Sequence, residues 1–272
     1  MAKPPPAPGI PTVRRFGRVN WLGVTSLLLR ELTREWRFFG VAVLGPALQA
    51  SLFAAVFTLA AGDKVPDLGG LDFFQFLAPG LVLAAVMQRA FESTAYTVMF
   101  DKLEAAIADL LGAPMTAGEV LAGWIASAAV IATAIGASVA IAMALFGLGW
   151  PARPLTGLYF AGCAILLFAA TGVVAAILSE KWDGLSGKET FVLVPLIFLS
   201  GTFFPLEAVP EGFWRIAFQL NPIVYLVDGF RFAMTGVGST DPWLAAAIAL
   251  AAALAMTAAA HALFRSGYRI KP

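Results

Sequence analysis

The chain has 272 residues, 60% of them hydrophobic and only 13% charged, and its mean hydropathy is +0.82. Soluble proteins are about 45–50% apolar and about 25% charged, so this chain lacks the charge to coat a water-soluble domain and has too much apolar surface to stay disordered. The deficit is uneven: Phe38–Ala61 and Leu155–Leu178 carry no charge, whereas seven Lys and Arg precede residue 38.

Residues 1–19 hold Lys3, Arg14, Arg15, Arg18 and five prolines without an apolar stretch, the pattern of a disordered cytoplasmic lead-in rather than a secretory signal. Residues 20–37 then read as a helix. Trp21, Val24, Leu28, Leu32 and Trp36 share one face, Arg30, Arg34 and Arg37 lie opposite, and Asn20 is placed to cap it. Such a helix lies in the membrane interface, with Trp at headgroup depth and Arg toward phosphate; a simple anchor before the first span is the plainer alternative.

A bilayer core of about 30 Å needs about 20 apolar residues in a helix. Phe38–Ala61, Phe73–Met99, Val120–Gly149, Leu155–Leu178 and Trp243–Phe264 meet that length. Phe191–Leu206 is shorter and broken by Pro195 and Pro205. Residues 207–235 carry Asn221–Pro222, Asp228 and Arg231, too many interruptions for a lipid-facing span. Irregular backbone at membrane depth survives only inside protein or beside water, so residues 205–240 are expected to form a re-entrant pair of short helices. The chain is therefore expected to be an all-α integral membrane protein, with six transmembrane helices over residues 38–264 and a tail at 265–272. Seven spans is the competing count.

Positive residues concentrate on the cytoplasmic side of membrane proteins. In the six-span arrangement the seven N-terminal cations, Lys102, Lys181, Lys188, Arg265, Arg269 and Lys271 lie inside, against Lys64, Arg153, Arg215 and Arg231 outside. Both ends are then cytoplasmic; seven spans would put the C-terminal cluster outside.

The loop at 101–117 reads as a short amphipathic helix over Asp101–Leu111, with Asp101, Glu104 and Asp109 exposed and Leu103, Ile107 and Leu110 on another face. Gly112–Ala113–Pro114 ends it and Thr116 is placed to cap the next helix. A soluble partner is the natural cover for such a helix. Arg89 and Glu92 share one helix face within the second span. They either line a transport path or dimer seam, or form a structural ion pair near the interface. Ala247, Ala251, Ala255 and Ala259 repeat at a spacing that favours close packing in lipid, although alanine is abundant there.

Chemistry is sparse. One cysteine, Cys163, and one histidine, His261, cannot build a His/Cys metal site. Ser186–Gly187–Lys188–Glu189–Thr190 weakly resembles a phosphate loop, but Trp182 stands where the first glycine is needed and Glu189 where Ser or Thr is needed; it reads as a cytoplasmic turn. No catalytic set is visible, and no nucleic-acid partner is expected.

Three stretches together resemble the permease subunits of ABC-2 type exporters. They are Arg30–Glu31–Leu32 with Arg34 and Gly45–Pro46; Phe76–Leu77–Ala78–Pro79–Gly80–Leu81 with Ile107–Ala108–Asp109–Leu110–Leu111–Gly112–Ala113–Pro114; and Leu199–Ser200–Gly201–Thr202–Phe203–Phe204–Pro205–Leu206 with Leu220–Asn221–Pro222 and Asp228–Gly229–Phe230–Arg231. The similarity runs from about Leu22 to Arg265. It implies a dimeric permease of a bacterial inner membrane. Each copy would be docked on a separate ATPase subunit that binds ATP and Mg, with no cofactor of its own. Residues 101–117, with Asp101, Glu104, Asp109, Leu110 and Pro114, would be the coupling element. Arg30, Glu31 and Arg34 would form part of the docking surface. Expected cargo is a lipid-linked glycan, a lipid, a drug or another hydrophobic molecule. The reading from a different class is an ion-gradient-driven transporter or channel using Arg89 and Glu92.

Overall fold

The computed structural model describes residues 17, 19–36, 39–61, 70–104, 106–204 and 211–269. The N-terminal lead-in at 1–16, Lys64, Pro205 and the last three residues therefore lie outside the described residues. The described chain is helical, with no strand among the described residues. Helix α1 covers Trp21–Trp36 and α2 covers Phe39–Ala61; α3 is Phe73–Leu103, α4 Ala106–Gly112, α5 Ala117–Leu145 and α6 Pro154–Ile177. Helix α7 (Trp182–Lys188) passes through a π-helical turn at Glu189–Leu193 into α8 (Val194–Phe198). Helices α9 (Phe213–Leu220), α10 (Pro222–Thr235) and α11 (Pro242–Ser266) complete the chain.

Five helices are long and apolar enough to cross a membrane among the described residues: α2, α3, α5, α6 and α11. Their ends follow local chemistry. Thr116 and Glu119 form a capping box at the start of α5. Asp241 accepts from the Trp243 and Leu244 amides at 2.9 Å, with Pro242 at the first helical position of α11. Gly236 and Gly267, at φ 83° and 70°, close α10 and α11 in the left-handed conformation that glycine adopts without a Cβ penalty.

The helix expected at Phe191–Leu206 lies earlier in the chain. The helix begins at Trp182 and ends at Phe198, so the Ser186–Thr190 turn is helical instead. Lys188 Nζ reaches back to Ser179 Oγ at 2.8 Å and the Gly184 carbonyl at 3.2 Å, which holds that first turn. Tyr96 of α3 donates to Glu189 in the middle turn of this helix, and Phe198 near its end lines a cleft together with Ala85 of α3.

Helices α3 and α6 form the centre. Gly172 of α6 lies against the α3 backbone at Phe91–Ala95, and Thr94 Oγ1 donates to the Ala169 carbonyl at 2.7 Å. Helix α5 closes on α3 where Gly136 faces Val86, and α10 closes on α6 where Gly229 lies under the Phe160 ring. These are small-residue contacts of the kind that let helices approach without a hydrophobic drive from water. Helix α11 packs through Ala245, Ala249, Ala253 and Ala260, whereas Ala247, Ala251, Ala255 and Ala259 are exposed. The four-residue spacing was legible, but the two sets occupy different faces and only tertiary packing selects between them.

One end of the bundle gathers α1, the end of α3, α4, the start of α5 and the end of α11. The Asn20 amide donates to Glu119 Oε1 at 2.6 Å, and Trp124 meets the Phe264 ring edge-on at 5.1 Å. The opposite end gathers the Ser200–Phe204 bend, the start of α6 and the end of α10, where Ala152 and Arg153 amides donate to Met234 and Ala233 carbonyls. Helix α10 has 14 residues and α9 has 8, about 21 and 12 Å at 1.5 Å per residue. Neither reaches across a 30 Å core.

Candidate functional site

At the α1 end, four charges from two helices form one cluster. Glu31 is 1% exposed and Asp101 2% exposed, yet neither is isolated. Arg30 Nη2 lies 2.6 Å from Glu31 Oε1 and 2.6 Å from Asp101 Oδ2; Arg34 pairs with Glu31 and donates to Thr97 Oγ1, and its Nη1 lies 3.9 Å from Asp101. Burial opposes the charge on Arg30, but Glu31 and Asp101 together outweigh it and raise its pKa. Two carboxylates and two guanidiniums cancel, which is how buried charges persist.

This corrects two expectations. Arg30 and Arg34 do not face away from the protein: α1 packs through Leu27 and Glu31 and turns both arginines onto α3, while Trp21 and Trp36 are exposed. Asp101 is not on the surface of a loop helix: α3 continues through it to Leu103, and α4 begins separately at Ala106. The physical reason is the same for both. The arginines offer Asp101 a partner that makes its burial tolerable. Nothing local in either segment announces the other, although the i, i+3 pair Glu31–Arg34 was a signal that α1 carries a paired polar face.

Helix α4 caps this end. Ile107 and Leu110 are buried, while Glu104, Asp109, Leu111 and Pro114 are exposed. Its far side is tied to α1, because Asn20 Nδ2 donates to the Pro114 carbonyl at 3.0 Å and Asn20 Oδ1 caps α1 by accepting from Gly23 at 3.0 Å. Lys102 Nζ donates to the Ala176, Ile177 and Ser179 carbonyls at 2.7–3.1 Å, satisfying the open end of α6 with a cation where the helix dipole favours one. The turn after α4 is thus joined to α1 through Pro114, and the end of α3 to the end of α6 through Lys102.

Arg89 and Glu92 sit further along α3. Arg89 Nη1 lies 3.3 Å from Glu92, and Arg89 also pairs with Glu35 of α1, a partner that sequence spacing did not reveal. The pair is tied to α1 and borders a cleft of about 300 Å³ between α2, α3 and α8. Gln88, Arg89 and Glu92 of α3 line its polar end, Phe53, Phe198 and Phe203 line its apolar end, and Gln49 of α2 lines it one turn before Phe53. The aromatic rings are contiguous, with Phe198 stacked on Phe203 at 4.9 Å and Phe53 at 6.3 Å from Phe203.

At the other end, Asp228 and Arg231 are both buried. Asp228 accepts from the Ser239 amide at 3.0 Å, the Thr240 amide at 2.8 Å and the Thr240 hydroxyl. Arg231 donates to the Phe76 carbonyl at 3.0 Å and the Gly201 carbonyl at 2.7 Å, and its guanidinium lies 3.8 Å from the Phe76 ring centroid. Asn221 caps α10, accepting from Ile223 at 3.0 Å, and Pro222 sits at its first position. These residues bind the α10 turn, the Gly201 bend and the start of α3 into one buried polar knot.

Long apolar helices around a polar cleft, with α1 and α4 presented at one end, define a multi-pass helical membrane protein. The ABC-2 type transporter family matches residues 23–235, and the chain belongs to that family: it is the transport permease subunit of an ABC transporter, not itself an enzyme. The chain is similar to the inner membrane transport permease YadH of Escherichia coli (strain K12), 29% identical over 220 residues that make up 80% of this chain and 84% of that protein. It is also similar to nodulation protein J of Rhizobium leguminosarum bv. viciae, 28% identical over 223 residues covering 81% and 84%. Nodulation protein J of Rhizobium meliloti (strain 1021) is 25% identical over 227 residues, covering 80% and 82%. Membership implies a separate ABC ATPase as partner.

Proposed function

We propose that this permease exports a hydrophobic or lipid-linked molecule as a homodimer, with both termini and α4 on the cytoplasmic, ATPase-bearing side of an inner membrane. Six crossings are counted by adding the continuous Trp182–Phe198 helix to the five long ones, with α9 and α10 as a re-entrant pair. The support is parity: α1 and the end of α11 meet at one end of the bundle, as an even number of crossings requires. The unpartnered face of α2, from Val41 through Leu44, Leu48 and Leu52 to Val56, suits a second copy across the path.

The observation that carries the coupling role is the position of α4. It is anchored from beneath by Ile107 and Leu110 and presents Asp109 and Leu111 outward beside α1. ATP-driven closure of the ATPase pair would push on α4 and, through the Arg30–Asp101 and Arg89–Glu35 ties, move α1 and α3 together. The test is capture of the tagged permease from its native membrane. A phosphate-loop ATPase is expected to co-purify and to be stimulated by cargo. Its consistent absence, with gradient-driven transport intact, refutes this reading.

A further inference from the structure

The cleft between α2, α3 and α8 has a direction and a charge. Its polar end, at Gln88, Arg89 and Glu92, is tied to α1 through Glu35. Its aromatic end, at Phe198 and Phe203, approaches the Gly201 bend at the other end of the bundle. An amphiphile standing in the leaflet on the α1 side would have the same polarity, head toward α1 and chain toward the bilayer middle.

Among the described residues, Arg89 and Glu92 are the charged residues lining the cleft, and carboxylates outnumber cations just behind them: the second partner of Arg89 is Glu35. Tyr96, one turn beyond Glu92, donates to a third carboxylate, Glu189, at 2.9 Å. The neighbouring Lys188 is turned away onto Ser179 and Gly184. Gln88 donates to Glu92 at 2.8 Å, which leaves its carbonyl oxygen to accept. Gln49, across the cleft on α2, makes no side-chain hydrogen bond among the described residues. Carboxylates and amide carbonyls accept hydrogen bonds and attract cations, and at membrane depth an unpaired anion brought beside them is strongly disfavoured.

Resting on the permease reading above, we propose that this cleft selects amphiphiles whose head group donates hydrogen bonds and carries no net negative charge, drawn from the leaflet on the α1 side. A glycosyl or ammonium head fits; a phosphate or diphosphate head does not. Gln49 is the residue through which α2 contributes to that choice.

The test uses the full permease in phosphatidylcholine nanodiscs at neutral pH, with tritiated dodecyl glucoside as the bound probe. Unlabelled dodecyl glucoside, dodecylammonium and dodecyl phosphate, sharing one tail, compete for it. The glucoside and the ammonium are expected to compete at least tenfold better than the phosphate, and Gln49→Arg is expected to shift that ratio at least tenfold toward the phosphate. Methyl glucoside, which lacks the tail, is expected not to compete. Gln88→Lys provides the same charge change should Gln49→Arg lower the unfolding temperature. Equal competition by dodecyl phosphate, no saturable glucoside binding, an unchanged ratio in both variants, or displacement by methyl glucoside overturns the inference. Co-purification of the ATPase is scored on the same samples. Its retention without head-group discrimination sinks this inference alone, whereas its loss sinks the permease–ATPase reading instead.

Discussion

Replacing Asp101 with alanine removes the carboxylate that Arg30 holds at 2.6 Å and that Arg34 approaches at 3.9 Å. Breaking one side of a fully buried ion pair costs about 3–5 kcal/mol. Here Asp101 is 2% exposed but its partners are 42% and 34% exposed, so water recovers much of the loss and about 1–2 kcal/mol is the expected cost of docking α1 on α3. That corresponds to a roughly 5- to 30-fold rise in the undocked population of α1. Amide hydrogen exchange across residues 27–34 in the permease–ATPase complex should accelerate by that factor, while exchange in the α3–α6 core stays as in the wild type. Transport per ATP hydrolysed should fall, since one of the ties that move α1 with α3 would be gone. Asp101→Asn, which can still accept from Arg30, should give a smaller effect on both readouts. Unchanged exchange in α1, or full coupling despite accelerated exchange, refutes the clasp as a transmission element.

Asp109→Lys, or deletion of Leu110–Pro114, is expected to abolish cargo stimulation of the ATPase with membrane insertion unchanged; stimulation that survives both changes removes α4 from the pathway. Gly172→Ala places a methyl group against Thr94 Oγ1 and the Phe91 carbonyl, with backbone on one side that cannot give way. It should cost about 1–3 kcal/mol, read as a lower unfolding temperature in detergent, and a wild-type value would mean the α3–α6 contact is looser than described. Arg231→Met strips the Phe76 and Gly201 carbonyls of their donor and leaves Asp228 without its cation, a loss of about 3–5 kcal/mol. Limited proteolysis between α8 and α9 should speed up accordingly; unchanged cleavage would show that the knot does not hold that bend.

The sequence by itself determined the solvent and most of the helices. Uninterrupted apolar length is enough to specify α2, α5, α6 and α11 to within a few residues, because a helix is the only element that satisfies its own backbone in lipid. Caps were equally legible: Asn20 and Thr116 cap their helices through bonds to residues three positions on, and such spacing is local. Asp228 and Arg231, read as too polar for a lipid-facing span, are buried within the protein. Partners distant in sequence were not legible. Glu35 finds Arg89 across 54 positions and Arg30 finds Asp101 across 71, and these pairings turned the arginines of α1 inward and made Asp101 a buried member of α3. The alanine stripe of α11 shows the same limit, since its repeat is visible in sequence but the face that packs is chosen by α6 and α10. Charge count gave the class of protein; only the fold decided which charges neutralise each other, and so which of them border the cleft.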